Sequence, residues 1–210
     1  FLAYDLARRL HGREAGLAAA LTLACTLQFV LVERAAQIDG TLFGIVSLSL
    51  YGFLRHLLLG PAWRWYALGA FCAGLGVITK GVGFLPLLLL VPYGFARRGR
   101  WHGMPAIVGG GRWWIALGAA LLGIFLWFVP MLVAVQLSGA ADLATYRDEI
   151  LFQQTVKRYA SAWHHVQPWY FFLVDVIPAL WLPFSALLFW LVPRWRDAWR
   201  ERDARVWIPL

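Results

Sequence analysis

The stretch WWIALGAALLGIFLWFVPMLVAVQL, residues 113–137, carries no charged side chain. As a helix it would be about 37 Å long at ~1.5 Å per residue, enough to cross a ~30 Å hydrocarbon core. A run of this length and composition decides the class: the chain is read as a membrane protein. The rest of its 210 residues agree. Hydrophobic residues make up 61% and charged residues 14%, with a mean hydropathy of +0.64. Soluble domains are closer to ~25% charged. So few charges cannot cover a soluble surface, which excludes a soluble globular protein, a disordered chain and a small secreted scaffold.

Working outward from residues 113–137, further apolar spans are expected at Ala15–Val32, Thr41–Leu59, Trp65–Thr79, Gly81–Ala96 and Trp169–Val192. The third and fourth abut at Lys80, so the turn between them must be tight. Phe1–Leu6 reads as the tail of a preceding span, and Trp207 begins another. The absence of an initial Met points to a fragment of a longer chain. Trp63, Trp65, Trp113, Trp114 and Trp169 sit at span edges, as interfacial aromatics do. The expected fold is therefore an all-α polytopic membrane protein of about six transmembrane helices. Gly69-x-x-x-Ala73 and Ala70-x-x-x-Gly74 would let helices pack closely. Pro130, Pro178 and Pro183 lie inside spans and are expected to kink them.

Nineteen Lys and Arg against eleven Asp and Glu give a net charge of +8. In a soluble protein this would point to nucleic acid, but here the cations follow the loops. Fourteen fall in the odd-numbered loops and five in the even ones. Basic residues accumulate on the cytoplasmic side of membrane proteins. The odd loops are therefore assigned to the cytoplasm, and no nucleic-acid partner is expected. Cys25 and Cys72 lie in separate spans without metal-ligand spacing, so no disulfide framework is expected.

This topology gathers three polar segments on the extracytoplasmic face: Glu33–Gly40, Thr79–Gly81, and the loop at residues 138–168. In that loop Phe152, Val156, Tyr159 and Trp163 recur at helical spacing, and an amphipathic interfacial helix is expected. Asp39 reads equally as a helix cap and as a carboxylate facing a polar cavity. Lys80 reads as a snorkelling lysine or as a charge that holds a phosphate head group. His164 and His165 are adjacent and face different ways, so they make a poor metal pair alone. Lys157 and Arg158 either balance Asp148 and Glu149 or bind phosphate. Asp175, inside the last complete span, is a functional suspect by depth or a structural hydrogen-bonding group.

Three stretches taken together resemble the C-type membrane glycosyltransferases, in the branch of lipid A aminoarabinose transferase and the protein O-mannosyltransferases. They are Glu33–Phe43, the Gly-Leu-Gly-x-x-Thr-Lys-Gly run from Gly74 to Gly81, and Arg158-Tyr159 followed by His164-His165-Val166-Gln167-Pro168-Trp169. A departure from the family pattern is Gly81-Val82-Gly83, where many members carry proline after Lys-Gly.

The resemblance implies a multi-pass enzyme of the bacterial inner membrane, working at the extracytoplasmic face. It implies a polyprenyl-phosphate-linked sugar donor, a lipid or protein acceptor and inversion at the sugar C1. It assigns Lys80 and Arg158 to the donor phosphate and His165 to a divalent metal ion. The acceptor-activating carboxylate would lie upstream of Phe1, so Asp39 is not promoted to general base. All of residues 1–210 would then belong to one transmembrane glycosyltransferase domain. The alternative is a transporter or flippase for a lipid-linked or anionic substrate. That reading fits less well, because the polar groups cluster at one surface and no internal repeat is evident.

Overall fold

The computed structural model describes residues 1–34, 38–138, 145, 147, 168 and 170–209. Helices α1 (Leu2–His11) and α2 (Arg13–Cys25) turn at Gly12, whose φ of 98° suits glycine. There follow α3 (Leu27–Arg34), α4 (Ile38–Leu59) and α5 (Trp63–Lys80). A 3₁₀ segment (Val82–Leu89) leads into α6 (Leu90–Arg98), and a second (Gly110–Trp114) into α7 (Ile115–Ser138). A π-helical segment (Phe172–Val176) continues into α8 (Ile177–Leu180), followed by α9 (Phe184–Glu201) and α10 (Ala204–Trp207).

Among the described residues there is no β-strand, and the chain is an all-helical membrane protein. Ile38–Leu59 and Gly110–Ser138 are each long and apolar enough to cross a membrane. Phe172–Leu180 and Phe184–Glu201 make a third if the pair is one span, bent by 109° at a break that contains Pro183. Of the other expected spans, Trp65–Thr79 lies within the unbroken 18-residue helix α5, and two are interrupted. Ala15–Val32 divides at Thr26, whose backbone turns extended with ψ 120°. The freed Leu27 N–H donates to the Leu182 carbonyl at 3.1 Å, and the Thr26 hydroxyl donates to the Thr22 carbonyl at 2.7 Å. Broken backbone is tolerated at membrane depth when another segment supplies the partner. Gly81–Ala96 divides into 3₁₀ and α-helical halves.

α5 lies between α4 and α7, and its small residues make this possible. A Cβ on Gly69 would come within 2.8 Å of the Ser49 carbonyl oxygen on α4. The Ser49 hydroxyl donates to the Gly69 carbonyl at 2.6 Å in the same crossing. On the other side, a Cβ on Gly74 would overlap the Ala120 carbonyl, and one on Gly123 the Phe71 carbonyl. Close backbone approach replaces the hydrophobic drive that lipid does not provide. α7 presents Ala116, Ala120 and Gly123 inward and Leu122, Phe125, Leu126 and Val133 outward.

The chain reverses sharply after α5. Gly81 adopts φ 74°, and its N–H caps the helix on the Val77 carbonyl at 2.8 Å. Gly83 then sits directly on the Gly76 and Val77 backbone. The Gly81-Val82-Gly83 run thus forms a turn built on glycine contact. Gly83→Ala is expected to cost about 1–3 kcal/mol, because the overlap is with backbone that cannot rotate away. The check is the unfolding midpoint of the full-length protein, with Gly94→Ala as control, since a Cβ on Gly94 meets nothing within 4 Å.

The opposite end of α4 and α5 holds the aromatic core. His56 is fully buried, and its Nδ1 accepts the Ala62 N–H at 2.9 Å. Its ring packs against Trp63, Tyr66 and Trp113. Asp5 is buried there too. It accepts from Arg8 at 3.0 Å, Arg9 at 2.6 Å and the Tyr51 hydroxyl at 2.5 Å, with Arg55 at 3.7 Å. This carboxylate fastens α1 to α4.

Candidate functional site

Asp39 lies in the first turn of α4, and Lys80 is the last residue of α5. The two helices run antiparallel side by side, so these ends meet. The Lys80 ammonium forms an ion pair with Asp39 Oδ1. The side chains are 29% and 40% exposed. At that exposure the pair contributes little stability, about 0–1 kcal/mol. Its consequence is positional: Lys80 is held at the apex of the tight turn, at the opposite end of α4 from the Asp5 cluster. The Thr79 hydroxyl donates to the Leu75 carbonyl of its own helix at 2.8 Å.

Asp39 also lines a cavity of about 720 Å³. Its walls come from α1, α2, α3, α4 and α9, with Leu23, Phe29, Val32, Phe43, Phe184 and Leu187 among them. Gln28 and Trp181 close one side by a hydrogen bond of 2.6 Å. A second cavity of about 440 Å³ shares Ala3, Leu23, Phe29 and Phe43 with the first and runs along α4 to Tyr51 and Leu54. Asp39 is the one ionisable group among the described residues on the wall of the larger cavity. The arrangement is a long apolar space with a carboxylate–ammonium pair at one edge. Such a space suits an amphiphile whose chain is apolar and whose head is anionic.

The sequence placed Asp39 and Lys80 on one face, and the structure brings them into contact. Asp39 is drawn into the pair and also lines the cavity. Asp175 lies exposed in the π-helical segment, makes no ion pair among the described residues and does not line the cavity. Arg158, His164 and His165 lie outside the described residues, as does the interfacial helix expected around Phe152–Trp163. Among the described residues no three His, Cys, Asp or Glu converge. A lone Asp39 already paired with Lys80 does not fit a divalent ion.

Sequence reading missed Asp5. The signal was present as Asp5, Arg8 and Arg9, a carboxylate with cations three and four residues on. The Arg9 guanidinium, and then the Tyr51 hydroxyl, hold the Asp5 carboxyl well below the usual carboxylate range.

The fold and site define an all-helical membrane protein with an apolar cavity and a charged pair at its edge. The family model for dolichyl-phosphate-mannose-protein mannosyltransferase matches residues 1–133, and the chain belongs to that family, which is of the membrane glycosyltransferase type. The match includes both Asp39 and Lys80. No curated protein matches the chain, and no solved structure does.

Proposed function

We propose that the protein transfers a sugar from a polyprenyl-phosphate donor to a protein or lipid acceptor at the extracytoplasmic face, with inversion at C1. The observation that carries this reading is the Lys80–Asp39 pair at the edge of the apolar cavity, in a chain of this family. The polyprenyl tail occupies the apolar space, and its phosphate meets the Lys80 ammonium. An acceptor oxygen attacks C1, and its proton passes to the acceptor-activating carboxylate that the family resemblance implies. The C1–O bond breaks, and its electron pair leaves with the phosphate. Negative charge therefore grows on the phosphate oxygens as the bond opens. A fixed cation there stabilises the transition state more than the ground state. Asp39 acts as a positioning residue: it holds Lys80 until the phosphate arrives. Arg158 is proposed as a second phosphate contact.

The test is sugar transfer by the full-length protein in proteoliposomes, supplied with polyprenyl-phosphate-sugar. Lys80→Ala strongly lowers transfer under this reading, and Lys80→Arg retains more of it, since charge survives while reach and shape change. Wild-type turnover in Lys80→Ala would contradict it.

The metal role falls on His165. The His-x-x-Pro-aromatic resemblance selects His165 over the adjacent His164. His165→Ala is expected to lower both bound divalent metal and transfer, while His164→Ala stays near wild type. Metal content and transfer rate of the two variants are the measurement. Equal effects at both positions would remove the assignment.

A further inference from the structure

At the end of the molecule away from Lys80, two segments far apart in sequence form one surface. α9 changes character along its length, from the apolar Phe184–Val192 half to the basic Arg194–Glu201 half. Trp195 and Trp199 are one turn apart on the same face. Trp195 stacks on Trp207 with ring centroids 6.2 Å apart, and Trp199 stacks on Phe95 at 5.5 Å. Trp101 is buried between Trp199 and Trp207, 5.2 and 4.9 Å away. Backbone bonds join the segments: the His102 N–H donates to the Arg202 carbonyl at 3.1 Å, and the Ala204 N–H donates to the His102 carbonyl at 3.2 Å. Arg205 Nε donates to the Gly103 carbonyl at 2.8 Å.

The joined surface exposes Arg97, Arg98, Arg100, Arg194, Arg196, Arg200, Arg202 and Arg205, against the carboxylates Asp197, Glu201 and Asp203. The ion pairs of Arg8, Arg9, Arg55 and Lys80 go to Asp5 and Asp39, and none joins Asp197, Glu201 or Asp203 to an arginine of this surface. None of these eight arginines is neutralised. Trp195 and Trp199 are each nearly half exposed, and the exposed apolar surface continues through Val192, Trp190 and Phe189. Like charges gathered this closely repel unless anions lie between them. Guanidinium is shaped for bidentate phosphate contact, and tryptophan settles at the headgroup level between water and hydrocarbon.

We propose that this arginine–tryptophan face docks on the headgroups of anionic phospholipids in the leaflet opposite the sugar-transfer site. The charge complementarity specifies a phosphate-bearing, net-negative lipid. The unbroken apolar continuation along α9 specifies a bilayer in preference to a soluble polyanion. The choice of leaflet rests on the proposed site of transfer, whereas the lipid preference and its test do not.

The experiment uses the full-length protein in a neutral detergent, titrated with brominated phosphatidylglycerol or brominated phosphatidylcholine, with tryptophan quenching as readout. Phosphatidylglycerol should quench at a concentration at least about tenfold lower, and the preference should shrink as salt rises. Arg98→Gln/Arg196→Gln/Arg200→Gln should lose most of that preference. Arg196→Gln alone should lose several-fold, should the triple variant fail to fold. Trp195→Phe/Trp199→Phe should reduce the quenched amplitude. Equal quenching of the wild type by both lipids, or an undiminished preference in the arginine variants, would overturn the proposal. Concentration-dependent dimerisation without lipid preference would also overturn it, assigning the face to a second copy of the chain.

Discussion

Lys80→Ala in the full-length protein is expected to lower sugar transfer by about 10²–10³-fold, the effect of removing one charge-stabilising group from a reacting centre. The folded protein should be little affected. Lys80 is 29% exposed, and its pair with Asp39 is of the weakly stabilising surface kind. Loss of function without loss of structure separates a phosphate contact from a snorkelling lysine. Asp39 supplies the internal control. If Asp39 acts only through Lys80, Lys80→Ala/Asp39→Asn should be no worse than Lys80→Ala alone, since residues acting as a unit are not additive. Asp39→Asn on its own should leave more activity than Lys80→Ala, because the ammonium remains. An Asp39→Asn effect as large as that of Lys80→Ala, persisting in the double variant as a further loss, would give Asp39 chemistry of its own.

Asp5→Ala is expected to be the most destabilising single change among the polar residues, by about 2–3 kcal/mol. Removing the carboxylate leaves the buried Tyr51 hydroxyl without its acceptor and Arg55 beside an apolar gap. Arg8 and Arg9 are 45% and 40% exposed and can return to water, which keeps the cost below that of a fully buried pair. Asp5→Asn should be milder, since an amide oxygen still accepts from Tyr51. The pH dependence follows from the direction of the shift. The Asp5 carboxyl titrates lower in the folded protein than in the unfolded chain, whose value is ~3.9. Its contribution is therefore fully present above that value and is lost as pH falls below it. Wild-type and Asp5→Ala unfolding midpoints should differ by a constant amount between pH 5 and 8 and converge below about pH 4. Identical midpoints at neutral pH would mean the Asp5 cluster does not hold α1 to α4.

Much of this was legible in the chain because lipid imposes simple rules. The uncharged run at residues 113–137 became a single helix, since every backbone group there must be satisfied within the segment. The small-residue pairs around Gly69 and Gly74 marked the crossings, because only small side chains let backbones meet. Lys80 at the junction of two short apolar runs implied a tight turn, and Gly81 and Gly83 make it. What stayed hidden depends on partners remote in sequence. The break at Thr26 is stable because Leu182 offers a carbonyl, and nothing near Thr26 announces that. Asp5 matters through Tyr51, and local spacing shows only the two arginines. The cavity is assembled from α1, α2, α3, α4 and α9, and no one of these segments shows it alone. The unpaired arginine face likewise arises only when residues 97–103 meet residues 202–205.

The central claim is that Lys80 meets a donor phosphate at the edge of an apolar cavity. The most direct measurement compares binding of a polyprenyl phosphate with binding of the same polyprenol lacking phosphate, in wild-type protein and in Lys80→Ala. Both lipids fill the apolar space equally, so the difference between them isolates the phosphate contact. The wild type should prefer the phosphate by more than about tenfold, which corresponds to about 1.4 kcal/mol. Lys80→Ala should bind the two lipids nearly alike while keeping its affinity for the alcohol. A phosphate preference that survives intact in Lys80→Ala would contradict the claim and place the head group elsewhere.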